Sequence, residues 1–133
     1  MNNIFYLEGK TALVTGASRG IGQALAIGLA KAGAFIVCSS SSPGGTDDTI
    51  EKIAAIGGKA VGFFANLNKR NEVENMCQSI EENYGKIDIL VNNGGTIARY
   101  PAIDYPMEEW DRVMEVNLTS AFRLSQLVAK AMI

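Results

Sequence analysis

The sequence of 133 residues contains no histidine. That removes Ser-His and Cys-His nucleophilic catalysis, and with them every His-ligated metal site. It has only two cysteines, Cys38 and Cys77, too far apart to spell a zinc pattern or a disulfide framework. Neither sign of charge is in excess. Twelve basic and 14 acidic residues leave a formal charge of -2, which disfavours an electrostatic grip on nucleic acid or an anionic membrane. No apolar run approaches the roughly 20 residues of a membrane span. Met1 to Lys10 lacks the pattern of a secretory signal, so a cytoplasmic, reducing compartment is the expectation. With 47% hydrophobic residues, 20% charged residues and 3 prolines, the chain is neither disordered nor fibrous. Its length suits one domain, 1–133.

What is present is an alternation of short apolar runs and helical periodicities. Thr11 to Val14 is too short for a helix and reads as a buried strand. Ile21, Ala24, Leu25, Gly28, Leu29 and Ala32 then fall on one face of a helix that Gly33 would stop. Phe35 to Cys38 is a second strand, followed by a Ser-, Pro- and Gly-rich loop over Ser39–Gly45. Thr46 or Asp47 would cap a helix carrying Ile50, Ile53, Ala54 and Ile56. Ala60–Ala65 is a third strand, and Asn68–Tyr84 a helix with Val73, Met76, Cys77, Ile80 and Tyr84 on one face. Ile87–Val91 is a fourth strand, and Thr96–Pro106 is irregular. One long helix runs from Met107, with Trp110, Val113, Met114, Asn117, Leu118 and Ala121 on a shared face. The string βαβαβαβα predicts an α/β fold, a doubly wound parallel sheet of the Rossmann kind.

The turn between the first strand and the first helix reads Thr15-Gly16-Ala17-Ser18-Arg19-Gly20-Ile21-Gly22. Three glycines here serve a tight turn, a close backbone approach to a phosphate, and close helix–strand contact. The helix start that follows offers free N–H groups and a positive dipole end to a pyrophosphate. Together with Asn92-Asn93-Gly94-Gly95 after the fourth strand and Asn117 on the long helix, this turn resembles the short-chain dehydrogenase/reductases over essentially the whole chain. Leu7-Glu8-Gly9-Lys10, Ile97-Ala98-Arg99 and Trp110 to Asn117 are similar to sugar-acid members, the deoxygluconate and gluconate dehydrogenases.

The resemblance implies a nicotinamide dinucleotide, NAD or NADP, on Gly16, Ser18, Arg19, Gly20, Ile21 and Gly22. It extends the site to Ser39, Ser40, Asn66, Leu67, Asn93, Gly94 and Gly95. Gly94 stands where the family carries Ala, which would loosen that loop. Asn117 matches the active-site Asn, whose main-chain carbonyl holds a water in a proton relay. Arg99 could face a substrate carboxylate, because a guanidinium pairs with one bidentately. After the second strand no acid waits for the ribose hydroxyls. The hydroxyls of Cys38-Ser39-Ser40-Ser41-Ser42 and the charge of Arg19 lean towards NADP. Asn66 replaces the family's Asp near the adenine; its carbonyl could accept from the adenine amino group and its amide could donate, weakening base selectivity.

The family's catalytic Ser and its Tyr-x-x-x-Lys pair lie on and before the helix after strand five. This sequence has no such pair after its fourth strand candidate, and Ser125 and Lys130 do not match the pattern. The expectation is therefore the cofactor-binding N-terminal half of an oxidoreductase, truncated after strand four and the helix that follows. By itself it would be inactive. Strand four would be an open edge that invites a homo-oligomer or a complementing chain. A non-catalytic nucleotide- or partner-binding module and one half of a split enzyme remain open beside it.

Overall fold

In a computed structural model, residues 4–133 are described; Met1–Asn3, the start of the leading segment read above for a signal, lie outside them. Four parallel strands, β1 (Thr11–Val14), β2 (Phe35–Ser40), β3 (Ala60–Phe64) and β4 (Ile89–Val91), stand in the order β3-β2-β1-β4. Leu13 lies in register with Val37 on one side and with Leu90 on the other. The helices are α1 (Gly20–Lys31), α2 (Asp47–Ala55), α3 (Arg70–Tyr84), α4 (Met107–Met114) and α5 (Ser120–Met132).

The two-residue period of the strands divides the core between the two faces of the sheet. Leu13 and Val37 point to one side and pack with Val73, Met76, Cys77 and Ile80 of α3 and with Leu124 and Val128 of α5. Ala12, Val14, Ile36 and Cys38 point to the other and pack with Ala26 and Ala30 of α1 and Ile53 of α2. A strand buried on both faces is mostly apolar, which is why Thr-Ala-Leu-Val carries no two-residue alternation. The doubly wound α/β fold is the one expected, and among the described residues β4 pairs only with β1, at the margin of the sheet.

Several details differ from the sequence reading. Ser39 and Ser40 extend β2 rather than opening the loop, and both are buried. β4 begins at Ile89, with Ile87 buried just before it. Thr46 precedes α2 but makes no side-chain cap bond. On α1 the sheet-facing stripe is Gly22, Ala26 and Ala30, whereas Ile21 and Leu25 are exposed. Gln23 and the terminal Lys31 are the polar residues of α1, too few to mark a solvent face, and the small residues face the sheet because they let the helix approach it.

The long C-terminal helix is broken into α4 and α5 by a π turn over Glu115–Thr119, in which Ser120 N–H donates to Glu115 O. Its buried stripe is Val116, Ser120, Leu124 and Val128; Trp110, Met114, Leu118 and Phe122 are exposed instead. The inserted π residue rotates the second half of the helix, so one uninterrupted helical period misassigns its face. A short 3-10 turn, Ala102–Asp104, lies inside the segment expected to be irregular. No helix of the described residues is long and apolar enough to cross a membrane.

Candidate functional site

The carboxyl ends of the strands open on a cleft of about 400 Å3. From β1 the chain crosses to β2 on one side, and β4 pairs on the other, so the crevice forms where the winding reverses. Gly16 lies in it, with Ser39–Ser41 after β2, Ala65–Asn68 after β3 and Gly94–Thr96 after β4. Arg112 of α4 and Val116 of the π turn close its far side.

The glycine turn is shaped by contact and by backbone angle. Gly16 has φ +61° and Gly20 has φ +60°, conformations that favour glycine. A Cβ on Gly22 would run into the carbonyl oxygen of Gly16 and the Nδ2 of Asn93; one on Gly16 would stand 3.0 Å from Gly94 Cα. Gly20, by contrast, faces open space. The turn and the Asn93-Gly94 segment are thus pressed together and tied. Asn93 Nδ2 donates to Gly16 O at 3.1 Å. Thr15 Oγ1 accepts from Asn93 N at 3.0 Å and from Gly94 N at 2.8 Å, and donates to Val91 O at 3.3 Å. Thr15 is buried, and its hub role is invisible in a sequence where it reads only as the residue that opens the glycine turn.

From the outside, α2 holds the same turn. Thr49 Oγ1 donates to Ala17 O at 2.6 Å, and Gln23 Nε2 donates to Thr49 Oγ1 at 2.9 Å. α1 starts without a side-chain cap and without an acid in its first turn. Its first N–H groups and its dipole are therefore not countered by the protein. This cradle, closed to any Cβ at Gly22 and open at Gly20, fits the diphosphate of a dinucleotide.

Gly94 is not slack. The space a methyl would take is filled by Leu67 Cδ1, and Thr15 Oγ1 would stand 3.2 Å from it. Gly95, Thr96 and the following loop are held by the long helix. Asn117 Nδ2 donates to Thr96 O at 2.9 Å, and Thr96 N donates to Asn117 Oδ1 at 2.8 Å. Arg112 Nη1 donates to Thr96 Oγ1 at 2.7 Å, while its Nη2 pairs with Glu109 Oε2 at 2.7 Å. The Glu109 carboxylate favours the charged guanidinium and raises its pKa. Arg70 forks onto Glu115, with Nη2 at 3.0 Å from Oε1, and fixes the π turn against the start of α3. Arg112 and Thr96 were not picked out from the sequence; nothing in spacing alone separates them from solvated residues.

The expected site residues fall into three groups. Gly16, Ser39, Ser40, Asn66, Leu67, Gly94 and Gly95 line the cleft. Ser18, Arg19, Gly20, Ile21 and Gly22 form the turn beside it, with Arg19 and Ile21 exposed, and Asn93 and Asn117 brace its walls. Arg99 is exposed and does not line the cleft. Ser40 Oγ donates to Ser42 O at 2.8 Å, so Ser41, which also lines the cleft, has the freer hydroxyl.

Among the cleft's lining residues Arg112 alone is ionisable. Burial pushes the Cys38 thiol up to about 11, and burial with the charge of Glu81 does the same to Cys77, which keeps both protonated at neutral pH. Tyr6 and Lys10 stand four residues apart, the family's catalytic spacing. They line a separate depression with Thr11, Phe35 and Lys59, at the amino ends of the strands and away from the cleft. The described cleft can bind and orient, but it holds no group suited to exchange a proton near neutrality. No cluster of potential metal ligands occurs among the described residues.

Residues 10–133 match the family model described as short chain dehydrogenase, and the chain belongs to that family. It is 42% identical over 130 residues to a 2-dehydro-3-deoxy-D-gluconate 5-dehydrogenase of Pseudoalteromonas atlantica, covering 97% of this chain and 51% of the relative. It is 38% identical over 133 residues to a 5-keto-D-gluconate 5-reductase of Escherichia coli, covering 100% of this chain and 52% of the relative. A crystal structure described as an NAD(P)-dependent gluconate 5-dehydrogenase of Beutenbergia cavernae, with NADP bound at low occupancy, superposes with a TM-score of 0.91 at 38% identity. That match covers 98% of this chain and 51% of the other. The chain thus spans about half the length of the relatives it matches.

Proposed function

We propose that this chain supplies the dinucleotide-binding half of an NAD(P)-dependent oxidoreductase that interconverts an alcohol and a ketone on a sugar acid. The observation that carries it is the cradle of Gly16, Gly20 and Gly22 against Asn93 and Gly94 at the winding reversal. When bound, the dinucleotide gives or takes the hydride. The chain's own residues do the rest of what can be assigned to it. The uncapped start of α1 receives the diphosphate. Ser39–Ser41 and Asn66-Leu67 would flank the adenosine, and Gly94–Thr96 would border the reactive ring.

The absence of an acid after β2, the hydroxyl of Ser41 and the exposed charge of Arg19 favour a 2′-phosphate, and so NADP. The role given to Asn117 is supported by its place in the π turn, where its side chain is held by the backbone of Thr96 at the border of the cleft. The sugar-acid assignment rests on the names of the relatives in two enzyme groups. Self-association belongs to the same reading, supported by the exposed row Trp110, Met114, Leu118 and Phe122; a monodisperse monomer in dilute solution would contradict that part.

The test is a titration of the chain with NADPH, followed by its fluorescence. Saturable binding without turnover of NADP+ and a gluconate is expected. A chain that is folded by circular dichroism yet binds no dinucleotide would refute the reading. Turnover that disappears on changing Gly20 would refute the claim that the proton-transfer group lies outside these residues.

A further inference from the structure

An asparagine loses its amide most readily when glycine follows it. The glycine nitrogen attacks the side-chain Cγ, and no side chain on the attacking residue stands in the way. Among the asparagines of this sequence Asn93 alone precedes glycine. The pair arises because Gly94 stands where the family carries Ala. Gly94 lines the cleft, and Asn93 is tied to the glycine turn.

Both reacting groups are committed in the fold. The leaving amide, Asn93 Nδ2, donates to Gly16 O at 3.1 Å. The attacking nitrogen, Gly94 N, donates to Thr15 Oγ1 at 2.8 Å. Asn93 N donates to the same hydroxyl at 3.0 Å, so one side chain holds the N–H groups on both sides of Asn93. Thr15 is buried and shielded from competing water. Asn93 and Gly94 are only half-buried, within reach of water once released.

We infer that Asn93 is a spontaneous modification site kept latent by Thr15, and that opening of the loop after β4 releases it. In the opened loop the Gly94 nitrogen, its proton given up to solvent, bonds to Asn93 Cγ. The Cγ–Nδ2 bond breaks, a succinimide ring closes, and the amide takes a proton and leaves as ammonia. Water then opens the ring. Attack at the side-chain carbonyl gives aspartate, and attack at the main-chain carbonyl gives an isoaspartate linkage. The balance is one water consumed and one ammonia released, with no change of oxidation state. Either product carries a carboxylate that is ionised at neutral pH, and neither keeps an amide to donate to Gly16 O. The tie between the glycine turn and the loop after β4 is lost with it. The inference stands on these bonds and not on what the cleft binds.

The experiment incubates the chain at mildly alkaline pH, folded and unfolded in guanidinium chloride. The tryptic peptide of residues 87–99 is followed by mass, and fragmentation assigns the modified asparagine. In the unfolded chain Asn93 should react faster than any other asparagine. In the folded chain it should react at least about tenfold more slowly, because only the opened loop is competent. Thr15→Val keeps the shape and removes the hydroxyl, and the folded variant should react about tenfold faster than the unaltered chain. Thr15→Ser keeps the hydroxyl and should stay within about threefold of it. A folded chain, checked by circular dichroism, that reacts as fast as the unfolded one would overturn the role of Thr15. A folded Thr15→Val that reacts at the unaltered rate would do the same. An unfolded chain in which Asn93 is no faster than the other asparagines would overturn the site itself. The comparison of folded with unfolded chain decides even where Thr15→Val does not fold.

Discussion

The side chain of Asn117 and the backbone of Thr96 exchange two hydrogen bonds, at 2.9 Å and 2.8 Å, across 21 residues of sequence. The loop after β4 is thereby fastened to the π turn of the long helix. Arg112 adds a third bond to the same residue through Thr96 Oγ1. Asn117→Ala frees both backbone groups of Thr96 to water. Because they are exposed, the expected cost in global stability is small, about 1 kcal/mol. Amide exchange at Thr96 and Ile97 should accelerate well beyond that of the core strands. Unchanged exchange there would show that Arg112 alone holds the loop.

The glycines of the turn predict two different outcomes. Gly22→Ala drives a methyl into the Gly16 carbonyl and the Asn93 amide, and neither can move without moving the other. It should cost about 1–3 kcal/mol, the range of overpacking, and abolish dinucleotide binding. Gly20→Ala meets open space and carries only the strain of φ +60°, about 1–2 kcal/mol. Urea unfolding of both variants checks the magnitudes, and NADPH titration at low denaturant separates loss of binding from loss of fold.

Leu67 and Gly94 occupy one volume. Gly94→Ala alone should destabilise the chain, since the new methyl meets Leu67 Cδ1 and the bonded Thr15. Combined with Leu67→Ala, which vacates the same space, the loss should fall short of the sum of the single changes. Contacting residues couple by about 0.5–3 kcal/mol, and a double-mutant cycle in urea measures it. Additive losses would mean that the two side chains do not share the space.

Asp88 ties the starts of β1 and β4 together. Its Oδ2 accepts from Thr11 N at 2.9 Å, and its N–H donates to Thr11 O at 2.9 Å. The bond from Thr11, with help from Lys86 nearby, holds the carboxyl below its ordinary range. A depressed carboxyl stabilises the fold above its unfolded pKa of about 3.9, and that contribution disappears as pH falls through the folded value. Stability should therefore drop below about pH 4 in the unaltered chain, and Asp88→Asn should flatten that part of the profile while lowering the plateau at pH 7. Thermal midpoints between pH 2 and 7 would show it; parallel profiles for the two proteins would exclude the link.

How much of this could be read from sequence depended on what kind of pattern carried each feature. The order of strands and helices followed from short apolar runs such as Thr11 to Val14 and from helix-stopping glycines such as Gly33. The buried residues of α3 were legible because Val73, Met76, Cys77 and Ile80 are set among polar and charged neighbours; Tyr84, placed on the same face, is exposed at the helix end. α1 gave no such contrast, so its inner stripe of Gly22, Ala26 and Ala30 was missed. The π turn at Glu115–Thr119 leaves no periodic signature until the backbone is seen, and it moved the buried stripe to Val116, Ser120, Leu124 and Val128. Within the site, Gly16 and Gly22 were recognisable because close backbone contact demands glycine, whereas Gly94, expected to loosen its loop, instead leaves room for the Leu67 side chain. Thr15 and Arg112 were not recognisable, because their roles depend on which groups they bond.

The central claim is that the carboxyl ends of the strands, and not some other surface, receive a nicotinamide dinucleotide. Amide chemical shifts of the labelled chain during titration with NADP+ test it residue by residue. Saturable changes are predicted at Gly16–Gly22, Ser39–Ser41, Asn66-Leu67 and Gly94–Thr96, with Lys10, Thr11 and Lys59 at the opposite ends of the strands unmoved. Saturable changes confined to that opposite end, or none anywhere in a folded chain, would contradict it.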